Sequence, residues 1–220
     1  MTMSQRAYAG DLPAGAWPQL HDLARWVGTW CFWPVYRLRV HRRERIPASG
    51  PVVVVANHSA FLDGPVLFGL FGRRTVFLVK QEMFRGALGW LLVRIGQVPV
   101  RRGTADRRPL TAALDVLRAG GLVAVFPEGT RTEGGVAAAQ HGAAWFARAA
   151  GAAVVPVVCR GTRRPADTRR RFRPRVDVMV GEPLPIDAGP GRAGLAAATE
   201  TIRAALAGLV AELDEVRRRT

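Results

Sequence analysis

Cysteine is nearly absent from this chain of 220 residues; there are two, Cys31 and Cys159. They lie far apart, in neither metal-ligand spacing nor a disulfide framework, so both are expected as free thiols in a reducing compartment and no metal is implied. Histidine is scarce too, with four in the chain, which narrows the choice of a side chain that titrates near neutral pH. Acids are outnumbered, 17 against 32 basic residues, giving a formal net charge of +15 that arginine supplies almost entirely. That excess favours nucleic acid, anionic lipid surfaces or phosphorylated substrates without choosing among them. No run approaches the roughly 20 apolar residues of a membrane-spanning helix. The longest candidate, Trp26 to Tyr36, is too short. The N-terminus has no basic segment followed by an apolar one, so a secretory signal is not expected.

What is present is organised as alternating strands and helices. Short apolar runs predict strands at 52–56, 75–79, 97–101, 122–126, 153–159 and 176–180. Helices are expected between them at about 63–71, 83–95, 107–119 and 137–150. Leu195, Ile202, Leu206, Leu209, Leu213 and Val216 form one apolar stripe of a last helix, with charge opposite. This alternation predicts an α/β fold, a central mostly parallel sheet covered by helices on both faces. Pro47 to Pro51 reads as a turn. The length fits a helical element over 1–44 followed by one α/β domain over 45–220.

Residues 17–40 read as helical, with a break before Pro34. Trp17, Trp26, Trp30 and Trp33 are four of the six tryptophans, and Arg37, Arg39, Arg42, Arg43 and Arg45 follow closely. Tryptophan favours a membrane interface, where the ring is half buried and the N–H stays wet. The helix lies in such an interface, as a membrane-associating element, or packs its rings on the core, or combines the two. The run from Arg160 to Arg175 holds eight arginines and one acid, Asp167. It reads as a solvated loop, an anionic-lipid contact or an RNA-binding tail. Phe172 is the only aromatic ring there, which argues against base stacking.

Three strand ends carry the chemistry. The apolar run Val52 to Ala56 leads into Asn57-His58-Ser59-Ala60-Phe61-Leu62-Asp63. A buried strand ending in a polar turn is where an α/β enzyme holds reacting groups. His58 and Asp63 fit a general base and its orienter. On a continuous helix they would be about 140° apart, so His58 is expected on the turn and Asp63 in the first helical turn. The bland alternative is that both merely cap the helix. The second strand end is Phe126-Pro127-Glu128-Gly129-Thr130-Arg131-Thr132, where Arg131 offers a planar fork to a phosphate or carboxylate. The third is Gly96 to Arg102, which again ends in arginine.

In this order the pieces resemble the glycerolipid acyltransferase family, the lysophosphatidic acid or 1-acylglycerol-3-phosphate O-acyltransferases. Its first block, Asn-His-x-x-x-x-Asp, is matched by Asn57, His58 and Asp63. Its second, Gly-x-x-Phe-Ile-x-Arg, is matched by Gly96, Val100 and Arg102, with Pro99 in place of the aromatic residue. Its third, Phe-Pro-Glu-Gly-Thr-Arg-Ser, is matched from Phe126 to Arg131, with Thr132 for serine. Its fourth, an apolar strand with a proline, is matched by Val154 to Val158. Where relatives carry Phe-Lys-x-Gly, this chain has Ala139, Gln140, His141 and Gly142.

The resemblance implies transfer of an acyl group from acyl-CoA or acyl-carrier protein to the free hydroxyl of a lysophospholipid, with lysophosphatidic acid the favoured acceptor. The alternative acceptors are another lysolipid or an aminolipid. His58 would be the base and Asp63 its orienter; Arg102 and Arg131 would hold the acceptor phosphate. Glu128, Gly129 and Thr130 would complete the substrate loop, and Asn57 would fix the turn or donate to the developing oxyanion. The donor is already activated, so neither a serine or cysteine nucleophile nor a cofactor is implied. The expected location is peripheral or monotopic on anionic lipids at the cytoplasmic face of the cell membrane. A non-catalytic basic protein binding anionic lipid or nucleic acid is the rival reading. The charge supports it, but no nucleic-acid-binding motif does.

Overall fold

The computed structural model describes residues 11–101, 106–126, 133–163, 172–186, 189 and 191–219; the side chains of residues 33 and 133–141 are outside that description. Seven strands form one sheet: β1 Arg37–His41, β2 Val52–Ala56, β3 Thr75–Lys80, β4 Val98–Val100, β5 Leu122–Val125, β6 Ala153–Arg160 and β7 Arg175–Val180, in the spatial order β1-β7-β6-β2-β5-β3-β4. The helices are α1 Pro18–Val35, α2 Asp63–Leu70, α3 Gly86–Arg94, α4 Arg108–Arg118, α5 Glu133–Ala150 and α6 Gly191–Arg219. β6, β2, β5, β3 and β4 run parallel, while β7 is antiparallel to β6 and carries β1 parallel to itself.

The sequence dictates which strands are central. β2 is four valines and an alanine, all buried, as expected for a strand covered on both faces. Alternate side chains divide between two cores. Val53 and Val55 join the core under α4, α5 and α6, whereas Val52, Val54 and Ala56 join the core under α1 and α2. The C-terminal stripe packs as the pattern predicted, with Ile202, Leu206, Leu209 and Leu213 buried. By length and composition α6 is apolar enough to cross a membrane, but that stripe is spent on the sheet.

One expectation is corrected. The N-terminal helix ends at Val35, with Pro34 inside its last turn, and residues 37–41 form an edge strand instead of continuing it. Arg37-Leu38-Arg39-Val40-His41 alternates polar and apolar residues, the period of a strand. The sheet therefore begins within residues 1–44, ahead of the expected domain boundary.

α1 also resolves how its aromatics are used. Leu20, Ala24 and Phe32 pack on the core, while Trp26 and Trp30 are about 60% exposed. One face of the helix thus packs on the core, and the other leaves Trp26 and Trp30 exposed. It lies close on α2 because Gly69 has no side chain; a Cβ there would come within 2.9 Å of the Thr29 backbone nitrogen. Thr29 fastens the crossing with a hydroxyl bond to the Gly69 carbonyl oxygen, 2.8 Å.

Candidate active site

The parallel strands deliver their carboxyl ends to one edge, and β2 places the first block there. Asn57 is buried at the strand end. Its Oδ1 accepts from the Cys159 backbone N–H at 2.7 Å, and its Nδ2 donates to the Cys159 carbonyl at 3.0 Å and to Ser59 Oγ at 3.2 Å. Both N–H donors are engaged, so of the two roles open to Asn57 the geometry matches the structural one. It clamps the ends of β2 and β6 together.

After Asn57 the chain turns through Ser59 and Ala60 and enters α2 at Asp63. Asp63 is fully buried, yet its carboxylate is surrounded by donors. Oδ2 accepts from the backbone N–H of Ser59 at 2.6 Å and of Ala60 at 2.8 Å, and Oδ1 accepts from the Thr162 hydroxyl. Burial pushes this carboxyl up. The hydrogen bonds from His58, Thr162, Ala60 and Ser59 outweigh it and hold the group below the usual carboxylate range. Asp63 is therefore a fixed anion under the turn.

His58 sits on that turn, as the helical geometry required, with Nδ1 3.4 Å from Asp63 Oδ2. Its ring stacks on Phe126, centroids 4.4 Å apart, and Phe126 stacks in turn on Phe77. An Nδ1–H directed at the carboxylate leaves the lone pair on Nε2. Nε2 makes no hydrogen bond among the described residues, and the side chain is 37% exposed. The pair can accept a proton at a solvent-facing nitrogen and hold the resulting imidazolium against an anion. Cys159 cannot compete as a nucleophile. It is buried, and desolvation together with the neighbouring Asp63 charge pushes its thiol far up.

The structure thus brings Asn57, His58 and Asp63 together. Arg102, Glu128, Gly129, Thr130 and Arg131 lie outside the described residues, as do the side chain of His141 and residues 164–171 of the arginine-rich run. Two residues at this edge escaped the sequence reading. Thr162 reaches Asp63 from a turn after β6, 99 residues away, so no local spacing could announce it. The turn depends on Gly161, at φ +92°, where a Cβ would collide with the Arg175 carbonyl oxygen. Lys80, the chain's only lysine, ends β3 at the same edge. With β5 alone between β2 and β3, it stands about 10 Å across the sheet from the His58 turn.

Sheet, strand-end position and His–Asp pair define an α/β acyltransferase, and comparison with known proteins agrees. The acyltransferase family model matches residues 37–160. The 1-acyl-sn-glycerol-3-phosphate acyltransferase of Bacillus subtilis is 28% identical over 185 residues, covering 81% of this chain and 91% of that protein. The chloroplastic 1-acyl-sn-glycerol-3-phosphate acyltransferase LPAT1 of Arabidopsis thaliana is 34% identical over 149 residues, 64% of this chain, and the match spans only 41% of the plant protein. The crystal structure of the 1-acyl-sn-glycerophosphate (LPA) acyltransferase PlsC from Thermotoga maritima superposes with a TM-score of 0.67 at 27% identity, covering 88% of this chain and 79% of that one. The chain belongs to this family of glycerolipid acyltransferases.

Proposed function

We propose that the protein acylates the free hydroxyl of lysophosphatidic acid, using acyl-CoA or acyl-carrier protein as donor, and so forms phosphatidic acid. The observation that carries this reading is the His58–Asp63 pair at the sheet edge, with the His58 side chain part-exposed and Nε2 without a hydrogen bond among the described residues. A glycerol hydroxyl is a weak nucleophile, so a base must remove its proton as oxygen attacks the thioester carbonyl. His58 Nε2 would take that proton, and Asp63 would hold the ring and stabilise the imidazolium. Collapse of the tetrahedral intermediate expels the thiolate, which recovers the proton. The resemblance supports Arg102 and Arg131 as the acceptor-phosphate contacts, with Glu128, Gly129 and Thr130 shaping that loop. Lys80 adds a cation at the same edge.

The acceptor is an amphiphile, so the site must meet a bilayer surface, here read as the cytoplasmic face of the cell membrane. Support comes from exposed rings on two elements. Trp26 and Trp30 of α1 are exposed with ring centroids 6.4 Å apart, and Trp17, just ahead of α1, meets the exposed Trp90 of α3 edge-on at 5.8 Å. Leu88 and Leu91 of α3 and Phe61 beside His58 extend the exposed apolar surface.

The test is a panel of lysolipid acceptors offered with labelled acyl-CoA and acyl-carrier protein, read by mass spectrometry. Labelled phosphatidic acid from lysophosphatidic acid, well above other products, is expected. Preferential acylation of a lysolipid with a larger head group or of an aminolipid would replace the acceptor assignment while keeping the chemistry.

A further inference from the structure

Beside the crossing of α1 and α2, lined by none of the residues assigned to the acyl-transfer chemistry, lies an open pocket of about 330 Å³. It is lined by Arg25, Arg43, Trp26, Trp30, Thr29 and Asp22, with Gly69 of α2 at its floor. Two guanidiniums and two indoles around one small cavity are the chemistry that holds a phosphate ester, by planar charged forks and interfacial rings.

The charges are not cancelled within the protein. Asp22 is the one acid in the lining, and it is drawn to Arg74, which grips it at 2.6 and 3.1 Å. Its approach to Arg25 is a loose 3.8 Å. No carboxylate among the described residues pairs with Arg43. Arg25 is the less comfortable of the two. Its Nε is buried with no hydrogen-bond partner, and burial, with the nearby charges of Arg74 and Arg43, lowers its pKa despite Asp22. The pocket also sits at the right depth. Exposed tryptophans settle at the level of the head groups, where lipid phosphates lie.

We propose that the pocket formed by Arg25, Arg43, Trp26 and Trp30 binds the phosphate of an anionic membrane lipid that is not the substrate, and so orients the docked enzyme. This inference rests on the membrane-docking reading above. The excess positive charge selects lipids with net negative heads over zwitterionic ones, and the rings supply binding that does not depend on charge.

The test uses the full chain with vesicles of phosphatidylcholine alone and with phosphatidylglycerol added. Affinities are compared for wild type, Arg43→Gln, the Arg25→Gln/Arg43→Gln pair, and an equal-charge control pair, Arg107→Gln/Arg192→Gln, on helical ends packed against the other face of the sheet. Arg43 holds no side-chain hydrogen bond among the described residues, so its single variant guards against misfolding at Arg25. We expect the Arg25/Arg43 pair to lose about tenfold in affinity for the anionic vesicles, and Arg43→Gln alone a few-fold. Binding to neutral vesicles and turnover of a short-chain soluble acceptor should stay at wild-type levels, and the control pair should lose much less. Equal losses in both pairs would assign the preference to diffuse charge and overturn the site. Quenching of tryptophan fluorescence by soluble glycerophosphate, abolished by Arg43→Gln, would make the ligand a free phosphate ester and overturn the lipid assignment. Failure of the wild-type protein to bind either vesicle would sink the docking reading instead.

Discussion

Asp63 is the residue on which the catalytic turn is built. Three donors besides His58 fix it, and Thr162 is the only one of them that is a side chain. Thr162→Val should therefore let the carboxylate rotate and slacken its grip on the imidazole, lowering kcat roughly 3–10-fold, less than a full hydrogen bond to a charged group because the two backbone donors remain. Thr162→Ser should restore the rate. An unchanged kcat in Thr162→Val would make the contact structural only. His21 behaves differently. It is fully buried, its Nδ1–H donates to the Ile95 carbonyl at 2.7 Å, and its Nε2 accepts from the Thr75 backbone at 3.3 Å. Both partners demand the neutral ring, and burial pushes its pKa down to about 4. In the unfolded chain the same ring titrates near 6.5. As pH falls below about 6.5 the unfolded state takes up a proton that the folded state refuses. Stability is thus complete above 6.5 and falls, on the order of 3 kcal/mol, by the time pH reaches about 4. Urea midpoints measured across that window should drop for wild type. The drop should be much shallower for His21→Gln, which starts from a lower midpoint; parallel curves would contradict the assignment.

Elements were legible where one local pattern settled them. β2 could be read from four successive valines, and α6 from its single stripe. The His58–Asp63 pair was legible because strand, turn and helix start are contiguous in seven residues. β1 was not, because it follows α1 after one residue and the tryptophan spacing drew the helical reading through it. Its polar–apolar alternation became decisive only once β7 offered an edge to pair with. Thr162 and His21 were illegible for a different reason, since their partners are supplied by distant chain segments. α3 was expected as a helix, but nothing in its sequence said that Leu88, Trp90 and Leu91 would remain exposed beside α1. That exposure gives the docking reading its element-scale test. Trp26→Ala with Trp30→Ala, and separately Trp90→Ala, should each weaken co-sedimentation with vesicles and leave thermal stability nearly unchanged. A fall in Tm with vesicle binding intact would return the rings to the core.

At the scale of the whole molecule, one arrangement serves binding and chemistry. Five parallel strands bring His58, Asp63 and Lys80 to one edge, and helices α1 and α3 carry exposed rings that the proposed docking would set on the membrane holding the acceptor. In the proposed docking, the net charge of +15 would draw the molecule to anionic membranes and acceptor phosphates alike, so raising salt should weaken docking and leave a residual apolar part. In the proposed mechanism the chemistry depends on a single proton acceptor, His58. The most direct measurement is the rate of labelled phosphatidic acid formation from lysophosphatidic acid by purified wild type and His58→Ala, matched for Tm. A loss of roughly 10²–10⁴ in kcat, with the fold intact, is predicted. Wild-type turnover in a well-folded His58→Ala protein would contradict the account.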